Sequence, residues 1–332
     1  MEKSVLFIEY GYNLNDTIRL NKQLELFDGY VSDVVFHLDK NIISKHDILI
    51  VHIEFYNDNK DEFLSSNKPI IIIGKHIDVN NDIYEDTNIF GVINYGYSKH
   101  MLVHSIENAL YQSQYRNKIR SQIEDKRKND NEALINILSH LVEFRNHESG
   151  LHILHVRTIV RILLERLIQI DNDYCIDEED IELISLASAM HDIGKIVVPE
   201  EIINKPDKLT EEEFIEMKKH TIYGVNIIKD LKYKSNGELM QLIYEICRWH
   251  HERYDGSGYP DALKGDNIPI SAQVVSLADS FDALRSERVY KRGFTHAEAM
   301  EMILNNECGV FNPILIECLK DCSDKLENEL KY

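Results

Sequence analysis

A chain of 332 residues is long enough for about two domains of ordinary size, and 43% hydrophobic residues with a single Trp exclude a disordered protein. The 37 basic against 57 acidic residues leave a formal net charge of -20, which argues against DNA, RNA or an anionic membrane surface as the main partner. A small nucleotide stays compatible where positive charge gathers locally, as it does at Arg285, Arg288, Lys291 and Arg292, with only Glu287 opposing.

The chain begins Met-Glu-Lys and runs into a short strand rather than a signal peptide. No apolar run approaches the ~20 residues of a membrane helix, so a cytoplasmic location without membrane insertion is expected. Candidate strands follow at Val5–Ile8, Asp33–Phe36, Ile48–Val51, Ile70–Ile73 and Gly91–Ile93. Continuous apolar runs of this length suit parallel strands buried on both faces, and their spacing predicts a doubly wound α/β domain over residues 1–112. That layout resembles a response-regulator receiver domain. The resemblance implies an acidic pair after the first strand, an Asp phosphoacceptor ending the third and a Lys after the fifth. Here Glu9-Tyr10, His52 and Tyr95 stand at those places. Without the Asp nucleophile, aspartyl phosphorylation is not expected. The domain reads as a pseudo-receiver for dimerisation or for binding a signalling partner.

From Lys99 to Arg145 there is no Pro, and Leu102, Ile106, Leu110, Leu134, Ile135, Leu138 and Leu141 fall at helical spacing around a polar stretch, Arg116–Asn131. The pattern fits one long helix, with 113–145 as a linker that could pair in a dimeric coiled coil. It equally fits two helices with a solvated joint. Residues 146–332 read as mostly helical. Thr210-Glu211-Glu212-Glu213 is a capping box, and the helix it starts is expected to carry His220 and reach Ile228. Cys175, Cys247, Cys308, Cys318 and Cys322 lack metal spacing and read as reduced thiols.

The second half also carries Glu148, His152, His191, Asp192, His220, His250, His251 and Asp279. Each sits where a helix would project it inward. Nitrogen and oxygen ligands suit iron or manganese better than a thiolate zinc site, and their number implies two or three divalent ions sharing carboxylates. Metal-assisted phosphoester hydrolysis is the chemistry expected. Asp192 would be central to it, Gly194 would allow close backbone approach, and Lys195 would meet a metal-held anion. His46-Asp47, at a strand entrance with no ligand pattern around it, reads as coincidence.

The motifs HDIGK (191–195), HxxxG (220–224), HHExxDGxGYP (250–260) and AxxFDALxSxRxYK (278–291) resemble those of an HD-GYP domain. The resemblance covers Glu148 to Pro313 and implies an all-α HD-type helical bundle over residues 146–332. It implies a cyclic di-GMP phosphodiesterase yielding pGpG and then GMP, with a hydroxide between metal ions as nucleophile. All eight metal ligands are retained, and Glu148 belongs with the three-metal kind. Asp192 and Lys195 are the implied catalytic residues, and Lys195, Tyr259, Arg288 and Lys291 the substrate contacts. Cyclic GMP-AMP as substrate, or a catalytically idle sensor, are the alternatives. Departures from the pattern are His155 for Arg, read as a surface replacement, Asn312 for Asp, and Arg285 for Thr.

Overall fold

Five parallel strands, β1 (Lys3–Ile8), β2 (Tyr30–Val35), β3 (Ile48–His52), β4 (Ile70–Gly74) and β5 (Ile89–Asn94), lie in the order β2-β1-β3-β4-β5. The computed structural model describes residues 3–8, 29–37, 39–74, 77, 88–94, 98–146, 151–170, 173–232, 237–286 and 292–330. The chain divides into two units, Met1–Arg127 and Lys128–Tyr332. Glu9, Tyr10 and Tyr95 lie outside the described residues.

The central strands β3 and β4 are buried along their whole length, which is why their sequence is continuously apolar. On one face Leu102, Ile106 and Ala109 pack over Val5, Phe7, Ile50 and Ile71; on the other, Ile43, Phe55, Tyr56 and Phe63 pack over Leu6, Leu49 and Val51. Strand β2 starts earlier than the apolar run suggests: Tyr30 already pairs with Lys3, and the polar Ser32 and Asp33 interrupt the pattern at its start.

A single helix runs from Lys99 to Arg145. The polar stretch between its apolar ends stays helical without burial. It contains no Gly or Pro, and an i,i+4 pair such as Arg120–Glu124 (3.2 Å) supports it.

The described residues of the second unit form no sheet. The helix His152–Ile170 lies against Glu178–Ser188, Ile270–Arg285 and Pro313–Asp321, while Glu238–Trp249 packs on Glu178–Ser188, His220–Lys232 and Ile270–Arg285. Val156, Ile159, Leu163 and Leu167 meet Val274, Leu277, Phe281 and Leu315 in one core. Each such side chain contributes about 1.5–3 kcal/mol by leaving water. The capping box at Thr210 forms, but its helix is Glu211–Lys218, and His220 opens a separate helix. The Lys219 amide turns back to the Glu216 carbonyl (3.0 Å) and the His220 ring takes the Met217 carbonyl (2.8 Å), so the ladder breaks there. No helix among the described residues is long and apolar enough to cross a membrane. All five cysteines are free thiols.

Candidate metal centre

His152 opens the helix His152–Ile170, His220 opens His220–Lys232, and Asp279 stands within Ile270–Arg285. For these the expected projection from a helix holds. For His191, Asp192, His250 and His251 it is corrected: Glu178–Ser188 and Glu238–Trp249 end before them, and turns deliver both pairs. Adjacent residues on a helix would diverge by about 100°. Leaving the helix lets His250 and His251 converge instead, with ring centroids 4.1 Å apart. Glu148, Arg288 and Lys291 lie outside the described residues.

Two groups of ligand atoms form around one carboxylate. Asp192, His220, His250 and His251 make the first, His152, His191 and Asp192 the second, with the atoms of each group within 4.8 Å of one another. Asp279 Oδ1 stands on the side of the second group, 3.7 Å from His152 Nε2 and 3.9 Å from His191 Nε2. Gly194 lets the segment after Asp192 press onto the neighbouring helix, since a Cβ there would overlap the His220 carbonyl and the Gly224 amide.

The hydrogen bonds behind these rings fix their tautomers. His191 Nδ1 donates to the Ser188 carbonyl, His220 Nδ1 to that of Met217 and His250 Nδ1 to that of Ile246, each at 2.8 Å. His152 Nδ1 donates to Asp282 Oδ2 at 2.7 Å. Each Nε2 then carries a lone pair. Yet His220 Nε2 and His250 Nε2 are 3.4 Å apart, and His152 Nε2 and His191 Nε2 3.5 Å. Opposed lone pairs at that range repel unless a cation lies between them. Asp192 Oδ1 is buried without a hydrogen-bond partner, a second sign of the same need. The donor set therefore fits divalent metal ions.

Electrostatics agree. Burial pushes His220, His250 and His251 below the usual imidazole range, so they are neutral as ligands must be. Burial also works against a charged His191, but the Asp192 carboxylate beside it raises it above that range, marking a place that demands positive charge. Asp192 is held well below the ordinary carboxylate range: burial opposes this, while Lys195 and His191 overcome it. Lys195 Nζ lies 2.6 Å from Asp192 Oδ2.

Above the cluster opens a cleft of about 550 Å³ whose walls include Lys195, Arg253, Tyr259 and Asp279. The Tyr259 ring stacks on His251 with centroids 4.7 Å apart. Its loop is braced by Glu252, which accepts from the amides of Asp261 (2.7 Å) and Leu263 (3.1 Å). Gly258 closes against it, because a Cβ would collide with the Arg253 amide.

The sequence reading missed two residues. Asp282, fully buried, orients His152, as carboxylates behind ligating histidines do; its place three residues after Asp279 on one helix was the available signal. Arg253 enters the cleft with its guanidinium on Ser276 Oγ (2.5 Å), 5.1 Å from the Phe311 ring. Another reading is corrected: His155 is no surface replacement, being buried with Nδ1 2.9 Å from Asp282 Oδ1. Asn312 is buried too, donating to Gln273 Oε1 (2.8 Å) and Tyr174 Oη (3.1 Å). Arg285 donates to the Phe294 carbonyl at 3.0 Å.

Known proteins resemble this half of the chain. A 3'3'-cGAMP-specific phosphodiesterase 2 from Vibrio cholerae is 38% identical over 201 residues, 60% of this chain and 36% of that protein. A probable cyclic di-GMP phosphodiesterase of the same organism is 38% identical over 189 residues, 56% and 43% of the two chains. A cyclic di-GMP phosphodiesterase from Thermotoga maritima is 38% identical over 197 residues, 59% and 50%. The chain thus spans half or less of the length of these relatives. The HD domain model matches residues 134–311, the stretch that holds every clustered ligand described above, and the chain belongs to the HD domain family.

Proposed function

We propose that this chain is a metal-dependent phosphodiesterase that opens cyclic di-GMP to linear pGpG and carries it on to GMP. One observation carries the reading: two groups of imidazole and carboxylate donors share Asp192 on the floor of a cleft wide enough for a nucleotide. Divalent ions bound there would supply Lewis-acid charge to phosphate oxygens and lower the pKa of a water. The chain's own residues do the rest. Asp282 and the three backbone carbonyls keep the imidazoles aimed. Lys195 neutralises Asp192 on the cleft side and sits beside the place of a phosphate oxygen. Tyr259 and Arg253 offer a ring face and a fixed cation to base and phosphate, with Arg288 and Lys291 as further contacts.

Iron or manganese is the metal proposed, with Glu148 adding a third site. The experiment is anaerobic loading with either metal, elemental analysis, and chromatography of products from cyclic di-GMP. The expected result is timed pGpG, at least ~100-fold slower in Asp192→Ala, with one ion fewer in Glu148→Ala. Equal turnover in Asp192→Ala would sink the site assignment. A second reading, 3'3'-cGAMP as substrate, is favoured by the similarity to the Vibrio cholerae enzyme of that name, and the same assay run on both dinucleotides ranks them.

The organisation proposed with this function is a receiver-like unit over 1–112, a linker helix over 113–145 and the phosphodiesterase domain over 146–332, acting in the cytoplasm. The parallel order β2-β1-β3-β4-β5 supports the first, with His52 where the phosphoacceptor would stand. Exposed Leu134, Ile137, Leu141 and Phe144, three and four apart, support pairing of the helix with a second copy; molar mass from light scattering should double as concentration rises, and a constant monomer mass would refute it.

A further inference from the structure

The last turn of the helix Lys99–Arg145 grips the scaffold of the metal centre at two points. Arg145 Nη1 donates to the carbonyl of Lys195 (2.7 Å) and to that of Ile196, and its Nη2 donates to that of Val198 (2.7 Å). These carbonyls belong to the short 3-10 helix Ile193–Val197 and its C-cap, the segment that follows Asp192 and carries Lys195. The Arg145 carbonyl in turn accepts from Asn204 Nδ2 at 3.1 Å, so the arginine is tied from both ends.

Glu143, only 4% exposed, makes the second grip. Its Oε1 accepts from the Ile153 amide at 3.0 Å, and its Oε2 pairs with His140 Nδ1 at 3.1 Å. Ile153 is in the first turn of the helix that His152 opens, where backbone amides have no partner within the helix. A carboxylate there acts as a cap on the element that presents His152. Between this turn and the ligand segments lies a small pocket of about 10 Å³, bordered by Ser139, Val142, Glu143, Met190 and His191, room for no more than about one water.

We propose that Glu143 and Arg145 are positioning residues of the metal centre: one helical turn sets the distance between the segment bearing Asp192 and Lys195 and the segment bearing His152. The inference rests on the metal-site reading above. Asp192 has to serve two ligand groups with one carboxylate, so a small rotation of its backbone spoils both. The planar fork of a guanidinium holds three carbonyls at fixed angles, which a single ammonium does not. A plain cap on a helix end would add stability and nothing else; a positioning role adds metal affinity and turnover.

The test uses the full chain as Arg145→Gln, Arg145→Lys and Glu143→Gln beside the parent. Manganese dissociation constants come from equilibrium dialysis, thermal midpoints from the metal-free proteins, and kcat and KM from cyclic di-GMP hydrolysis. Both Arg145 variants are expected to bind manganese about tenfold more weakly, the lower end for outer partners of metal ligands. Their kcat falls while KM stays within about twofold of the parent, the mark of an interaction that matters in the transition state. Glu143→Ala, made beside these, leaves the Ile153 amide without its acceptor and is expected to bind manganese about tenfold more weakly, while Glu143→Gln, which keeps an oxygen there, stays within about twofold; parent-like affinity in folded Glu143→Ala strikes Glu143 from the proposal. Manganese affinity equal to the parent's in folded Arg145→Lys, whatever the fall in thermal midpoint, overturns the proposal, and this variant serves if Arg145→Gln does not fold. Dialysis needs no substrate. A parent that binds manganese yet hydrolyses no cyclic dinucleotide therefore defeats the proposed function and leaves the positioning comparison standing.

Discussion

His46 of the sheet unit and the clustered histidines of the helical unit do opposite things with the same ring. In the sheet unit, His46 satisfies both nitrogens within its own fold, Nδ1 on the Ile42 carbonyl (2.8 Å) and Nε2 on Asp33 (3.0 Å). In the helical unit, His191, His220 and His250 place Nδ1 on a carbonyl three or four residues back and turn Nε2 toward another imidazole or Asp192. A histidine with both nitrogens matched is architecture. One with a fixed donor on one side and a lone pair facing other lone pairs is built for a cation.

The largest test of that contrast is Asp282→Leu, which removes the carboxylate shared by His152 and His155. Metal affinity should fall about 100-fold, the upper end for such partners. Unchanged affinity in competition dialysis would mean that the fixed donors do not matter. Next comes Gly194→Ala, which forces a methyl into the His220 carbonyl. A loss of roughly 3 kcal/mol is expected in urea unfolding, and less than ~1 would deny the close approach of the two segments. The smallest expected effect is none at all. Incubation of the chain with acetyl phosphate should leave no acid- and base-labile adduct, because β3 ends in His52 and not Asp; finding one would give the sheet unit a chemistry of its own.

Five of the clustered donors, His191, Asp192, His220, His250 and His251, were legible because the motifs name them, and the strands because burial on two faces leaves an unbroken apolar run. What the sequence hid was how the backbone arrives. His191 and His250 follow apolar helices, so helical delivery was the natural expectation, yet both lie beyond the last turn. Where a helix ends depends on tertiary packing, and so do the carbonyls that fix each tautomer. His155 looked dispensable because nothing local pairs with it. Its partner, Asp282, is 127 residues away. Arg145 is hidden for the same reason: its three acceptors are backbone carbonyls, which carry no residue identity.

The grip of Glu143 and Arg145 also bears on how this protein can be dissected. The matched family region starts at 134, upstream of both residues. A fragment begun at 146 would include the clustered donors yet leave the Ile153 amide without its carboxylate and the carbonyls of Lys195, Ile196 and Val198 without their guanidinium. The final turns of the long helix thus belong with the donors they brace, and a cut placed by ligand motifs alone would separate the donor cluster from its own support.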